Sequence, residues 1–218
     1  MKEILCFGDS NTYGLIPGTN RRYNRETRWT GILSEKLYDK GYRIIEEGLC
    51  GRTSVFDDAT RDGRNGAKVL PMLLETHTPL DHVVLMLGTN DCKIYNHASA
   101  ERIGKGIEKL IQQIKKHDPT IDILLVSPIE LGEDVWKPGF DPEFDQHSVK
   151  VSKQLKQTYL KIAWKYGCDF LAASDVAKPS KADMEHMNEK GHKNLAKAIE
   201  SFLVEKERNH SNDYVNVV

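Results

Sequence analysis

The chain has 218 residues, one domain's worth at about 100–200 residues per domain. Hydrophobic residues make up 39% and charged residues 29%, enough apolar material for a true core. With 31 Lys+Arg against 32 Asp+Glu the formal net charge is −1, which excludes a chain built to hold phosphate backbones and a charge-driven disordered one.

Five short apolar runs punctuate the chain. They are Ile4-Leu5-Cys6-Phe7 before Gly8, Tyr42-Arg43-Ile44-Ile45-Glu46 before Gly48, and His82-Val83-Val84-Leu85-Met86-Leu87 before Gly88. Ile121 to Val126 before Ser127-Pro128 and Cys168 to Ala172 complete the set. Little alternation and Gly or Pro boundaries are the marks of strands buried on both faces of a parallel sheet. Between them lie amphipathic stretches at helical spacing: Trp29 to Lys40 with Gly41 as its C-cap, Asn65 to Thr76, Ala100 to Lys116, Val149 to Tyr166, and Glu189 to Lys206 with Asn188 as N-cap. Alternation of this kind predicts a three-layer α/β/α sandwich with a five-stranded parallel sheet in the flavodoxin-like order 2-1-3-4-5. One domain is expected over residues 1–206, followed by a polar tail over 207–218 that frays or docks on a partner.

The opening apolar stretch, Ile4 to Gly8, is shorter than the ~7–15 residues of a secretory core or the ~20 of a membrane span. Cys6, Cys50, Cys92 and Cys168 are scattered without a CxxC pair, so neither a disulfide framework nor a zinc site is expected. These features point to a cytoplasmic protein with free thiols, no metal, no cofactor, no nucleic-acid partner and no membrane partner.

In parallel sheets ligands bind beyond the carboxyl ends of the strands, at the switch point. There the chain places Gly8-Asp9-Ser10-Asn11, Gly48-Leu49-Cys50-Gly51-Arg52-Thr53 and Gly88-Thr89-Asn90-Asp91. With neighbouring first, second and third strands, Ser10, Gly51 and Asn90 converge. A serine hydroxyl is a potential nucleophile, a glycine exposes its N–H, and an asparagine amide is a neutral donor for an oxyanion. A base is available downstream in Ala182-Asp183-Met184-Glu185-His186-Met187, where Asp183 and His186 are three residues apart. That spacing lets the carboxylate fix the imidazole's tautomer and leaves its other nitrogen for Ser10. Reach is no obstacle: eleven peptide links separate Ala172 from Asp183, up to ~36 Å extended, against three strand spacings of ~14 Å.

Gly8-Asp9-Ser10, Gly51, Gly88-Thr89-Asn90-Asp91 and Asp183-x-x-His186, in order and over nearly the whole chain, resemble the four blocks of the SGNH (GDSL-type) hydrolases. Arg28-Trp29-Thr30-Gly31, Glu46-Glu47-Gly48-Leu49, Arg52-Thr53 and Asn65-Gly66-Ala67 are similar to bacterial arylesterase/acyltransferase members. The resemblance implies Ser10 as nucleophile, His186 as general base then acid, Asp183 as its orienting acid, and an oxyanion hole of the Ser10 and Gly51 N–H groups with the Asn90 amide. It also favours a homo-oligomer. Asn11-Thr12-Tyr13 departs from the Leu-Thr and tryptophan of many relatives, so the pocket is expected to differ there.

Each residue also has a plain reading. Ser10 alone is a turn residue, Gly51 a turn glycine, Asn90 a turn cap, and Asp9 and Asp91 shape loops. Of the eight histidines, His77, His82, His97, His117 and His210 fall on helix ends, strand starts or the tail. His192 is expected to face outward from the last helix, and His147 is the rival base. Asp175 is the alternative orienting acid. Asn11, Tyr13, Cys92, Ile94, Tyr95 and Ile129 are expected to line the substrate pocket, with Trp29 either there or in the core. Cys50 and Cys92 follow strands close to the site, which would make activity sensitive to thiol reagents. The long connection from Ile129 to Gln146, carrying Trp136, Phe140 and Phe144, is read as a pocket wall or a subunit contact.

The expected chemistry is hydrolysis of short-chain acyl (acetyl or aryl) esters through an acyl-enzyme, with transfer to alcohols as a second outcome. Carbohydrate O-deacetylation and thioesterase or lysophospholipase action are alternatives. A non-catalytic flavodoxin-like binding module is the distant one, disfavoured because Gly8-Asp9-Ser10-Asn11 matches no phosphate-binding glycine pattern.

Overall fold

A computed structural model of the chain describes residues 1–215, with side chains to residue 206. Strand β1 (Lys2–Gly8) is followed by the single-turn helix α1 (Ser10–Tyr13), then α2 (Trp29–Tyr38) and β2 (Tyr42–Gly48). Next come α3 (Gly66–His77), β3 (His82–Met86), α4 (Ala100–His117) and β4 (Asp122–Ser127). Helix α5 (Gln146–Tyr166), β5 (Asp169–Ala172) and α6 (Glu189–Val215) close the fold. The sheet is five-stranded in the order β2-β1-β3-β4-β5, and every pairing is parallel.

The sheet separates two cores. On one face α3, α4 and α5 bury Leu70, Ile107, Ile111, Leu155 and Tyr159 against Leu5, Phe7, Val83 and Leu85. On the other, α2 and α6 bury Trp29, Leu33, Leu195 and Ile199 against Ile4, Cys6, Val84 and Met86. Consecutive residues of β1 and β3 serve opposite cores, which is why these strands read as unbroken apolar runs. The edge strand β2 is mostly half-buried and carries Arg43, Glu46 and Glu47.

Three boundaries differ from the sequence reading. Helix α2 ends at Tyr38 with Asp39 as its C-cap, and the left-handed Gly41 completes the turn two residues later. Helix α5 starts at Gln146 instead of Val149, because Asp145 and Ser148 form a reciprocal capping box. The backbone of α6 continues to Val215, past the expected boundary at 206; residues 216–218 of the expected tail lie outside the described residues. Asn188 does cap α6, its Oδ1 accepting from the Gly191 N–H at 2.9 Å. No described helix is long and apolar enough to cross a membrane.

Candidate active site

Register brings the site together. Gly8 at the end of β1 pairs with Gly48 of β2 and with Met86 of β3, so the loops after these strands leave the sheet side by side. Immediately after Gly8, Asp9 caps α1 by accepting from the Asn11 N–H at 2.9 Å, and Ser10 becomes the first residue of that one-turn helix. The turn lies hard against β2: a Cβ on Gly48 would stand 2.2 Å from the Tyr13 nitrogen. Glycine is the one residue that permits this approach.

Ser10 Oγ lies 2.8 Å from His186 Nε2, and His186 Nδ1 lies 2.8 Å from Asp183 Oδ2. A carboxylate only accepts, so Nδ1 carries the proton and Nε2 is left to accept from the Ser10 hydroxyl. Asp183 is held from four sides. Its Oδ1 accepts from the Glu185 and His186 main-chain N–H groups, each at 3.0 Å, and its Oδ2 also accepts from Gly18 N–H at 2.8 Å. Burial alone would push this carboxyl up; the hydrogen bonds from His186 and Glu185 and the charge of His186 outweigh it and hold it below its ordinary value.

The segment carrying these two residues is a tight turn. The Ser180 N–H donates to the His186 carbonyl, and the Met184 N–H donates to the Ser180 carbonyl. Met184 sits in the left-handed region at φ +61, an uncommon conformation for a side chain of its size. Its carbonyl accepts from the Gly132 N–H at 2.7 Å, so the connection after β4 braces the turn from outside. That connection buries Leu131, Val135 and Phe144 in the core of the chain itself.

Asn11 locks the turn to the nucleophile side. Its Oδ1 accepts from the Met187 N–H at 2.9 Å, its Nδ2 donates to the Glu185 carbonyl at 3.5 Å, and its carbonyl accepts from Trp29 Nε1 at 3.1 Å. Asn11 is thus buried and tied to protein partners through its side-chain oxygen, one amide proton and its carbonyl, which gives it a structural place instead of the expected one in the pocket lining. Trp29 is fully buried and belongs to the core.

Beyond Ser10, two donors face the same edge. Gly51 takes φ +81, a left-handed conformation suited to glycine, and among the described residues nothing accepts from its N–H. Arg61 lies over it: a Cβ on Gly51 would stand 2.5 Å from Arg61 Nη2. Asn90 Nδ2 donates one proton to the Arg52 carbonyl at 3.1 Å and keeps the other. Arg52 itself is buried, stacks on the Phe7 ring at 4.3 Å, and donates from Nη1 to the carbonyls of Gly8 (3.1 Å) and Glu47. Asp91 receives the Ser54 N–H on both oxygens at 3.0 Å, tying the loop after β3 to the loop after β2. Burial, helped by the charge of Asp9, pushes its carboxyl up to about 7.

The other pocket candidates divide. Tyr13 is half-buried with Arg22 stacked 4.4 Å from its ring, and Ile94 and Tyr95 are 40% and 46% exposed. Cys92 is buried, its Sγ donating to the Gly88 carbonyl at 3.4 Å, and Ile129 is buried in the α2–α6 core. Both side chains pack into the hydrophobic cores on either side of the sheet, so neither assignment to the pocket lining has support. Burial raises the thiols of Cys50 and Cys92 above their ordinary value, so the expected reactivity toward thiol reagents has no support in either.

His192, expected on the surface, is fully buried; its Nδ1 accepts from the Trp29 N–H at 3.3 Å and Tyr23 packs edge-on to its ring at 5.3 Å. The signal was present, since positions 192, 195, 196, 199 and 203 form one helical stripe. His147 is exposed on the first turn of α5, and Asp175 pairs with Lys156 at 2.5 Å. Neither approaches the serine through any contact. Among the described residues no cluster of His, Cys, Asp and Glu could hold a metal ion. One residue escaped the sequence reading altogether: Glu185, 6% exposed, whose Oε1 lies 3.7 Å from His186 Nε2.

Residues 6–193 match the model of a family described as the GDSL-like lipase/acylhydrolase family. The structure is similar to that of an aryl esterase from M. smegmatis, with 33% identity, 94% of this chain and 99% of that one covered, and a TM-score of 0.87. It is similar also to a carbohydrate acetylesterase from Sinorhizobium meliloti, with 36% identity, 94% and 99% covered, and a TM-score of 0.85. A lipase/acylhydrolase from Enterococcus faecalis, at 19% identity and a TM-score of 0.65, shares the fold. No curated protein matches the chain.

Proposed function

The chain belongs to the GDSL-like lipase/acylhydrolase family and is a carboxylic ester hydrolase, and from that footing we propose that it cleaves short-chain acyl esters through an acyl-enzyme on Ser10. The observation that carries this is the hydrogen-bonded row Ser10–His186–Asp183. Ser10 Oγ attacks the ester carbonyl as its proton passes to His186 Nε2. Asp183 stabilises the imidazolium and keeps it oriented. The Ser10 and Gly51 N–H groups and the free Asn90 amide proton receive the charge that develops on the carbonyl oxygen. His186 then protonates the leaving alcohol, and water or another hydroxyl compound releases the acyl group. Aryl and acetylated-carbohydrate esters are the leading substrate classes, because similar structures carry those activities. Arg61, which lies over Gly51, supports a polar alcohol portion.

The test is hydrolysis of p-nitrophenyl acetate and of acetylated sugars by wild type and Ser10→Ala, with covalent labelling by a serine-directed phosphonate. Labelling at Ser10 alone and loss of turnover in a folded Ser10→Ala are expected. A near-normal rate in that variant would refute the assignment.

A further inference from the structure

Glu185 is a buried carboxylate that the mechanism above does not use. Its side chain is 8% exposed, and Oε1 has His186 Nε2 at 3.7 Å, beyond hydrogen-bond distance. Its main chain is held independently, the N–H by Asp183 and the carbonyl by Asn11. The side chain therefore points at the reacting atoms without being needed to build the turn. The charged groups facing it are His186 and Asp183 on its own segment, Asp141 from the connection after β4, and Lys93 after β3. Lys93 is already committed to Glu143 at 2.5 Å. A carboxylate that a bound acyl acceptor shuts off from water is costly unless that group donates to it.

We propose that Glu185 is a specificity-determining residue that selects the acyl acceptor, favouring water and vicinal diols such as sugar hydroxyl pairs over simple alcohols. The inference rests on the acyl-enzyme reading. In deacylation the acceptor oxygen bonds to the acyl carbon while its proton passes to His186 Nε2. The bond from the acyl carbon to Ser10 Oγ then breaks, and Oγ recovers that proton. The acceptor must therefore sit within about 2.8 Å of Nε2, and Glu185 Oε1 is 3.7 Å from that nitrogen. One oxygen can reach both. Water has two protons and donates one to each. A lone alcohol has one, gives it to His186, and leaves Glu185 desolvated and unmatched. A vicinal diol restores the balance, one hydroxyl reacting while its neighbour donates to Glu185.

The experiment measures product partitioning at pH 8.5, above the value of about 7 to which burial pushes the Glu185 carboxyl, with p-nitrophenyl acetate as donor and equal concentrations of 1-propanol and 1,2-propanediol as competing acceptors in water. Acetate, propyl acetate and hydroxypropyl acetate are quantified for wild type, Glu185→Gln and Glu185→Leu. Partition ratios are internal, so a fall in overall rate does not affect them. Wild type should favour the diol over propanol by about tenfold. In Glu185→Leu the two should become equal, and the propanol share relative to water should rise by about tenfold. Glu185→Gln, which offers both an acceptor and a donor, should admit propanol while still binding the diol. Equal ratios in all three proteins would overturn the inference while leaving the esterase reading intact. Absence of nitrophenol release from wild type would overturn both.

Discussion

Asp183→Asn separates orientation of the imidazole from the presence of a polar side chain beside it. Four donors converge on the Asp183 carboxylate, and an amide has one oxygen for the two it replaces. With its nitrogen at the Oδ1 position the amide would confront two main-chain N–H groups, Glu185 and His186, at ~1–3 kcal/mol each. With its nitrogen at the Oδ2 position it confronts the Gly18 N–H, which lies on an exposed loop where water can replace the lost acceptor. The second arrangement therefore prevails. It aims the NH₂ at His186 Nδ1, which must now accept, so the ring proton moves to Nε2. A protonated Nε2 cannot take the proton of Ser10. An imidazole held in this tautomer loses about 10⁴ in turnover, ~5.5 kcal/mol of transition-state stabilisation. The assay is kcat/KM for p-nitrophenyl acetate, with thermal melting as a control for folding. A well-folded Asp183→Asn with kcat/KM within tenfold of wild type would refute the orienting role of Asp183.

Protonation sets two further expectations. Burial alone would lower His186, but the Glu185 charge and the Asp183 hydrogen bond outweigh it and hold the imidazole above its ordinary 6.5. Activity needs the neutral ring, so it is lost as pH falls through that raised value; a pH–rate profile with its acid midpoint below 6.5 would contradict this. Burial holds His192 down to about 4. Against an unfolded value near 6.5, the stability it contributes is whole above 6.5 and is lost as pH falls towards 4, by ~2.5 kcal/mol at pH 4.5. His192→Asn keeps an acceptor for the Trp29 N–H and cannot titrate, so its urea-unfolding free energy should fall less between pH 7 and 4.5 than that of wild type. Equal losses in both proteins would exclude His192 as the source.

Much of this architecture could be read before any coordinates. β1, β3 and β4 are covered on both faces, so burial wrote itself as uninterrupted apolar runs, and Gly8, Gly48 and Gly88 marked where β1, β2 and β3 give way to loops. The polar residues after those glycines were conspicuous for the same reason. What escaped depended on contacts across the chain. A four-residue helix such as α1 has no period to detect. Asn11 reads as a pocket residue until the Met187 N–H is seen against it, and Cys92 and Ile129 sit near the strand ends in sequence while their side chains turn into the core. His192 was missed through the habit of placing histidines outside, although its helical stripe was visible. Glu185 was hidden by its own motif: between Asp183 and His186 the eye treats the intervening positions as spacers, and only three-dimensional proximity distinguishes a spacer from a neighbour of the reacting nitrogen.

The hydroxyl of Ser10 and the ring of His186 stand 176 positions apart along the chain. During vectorial synthesis at about 5–20 residues per second, the serine therefore emerges ~9–35 s before its partner. Under the proposed mechanism, a growing chain carries through that interval the serine without the imidazole that would activate it. On that reading, turnover awaits the docking of the Asp183–His186 turn against α1.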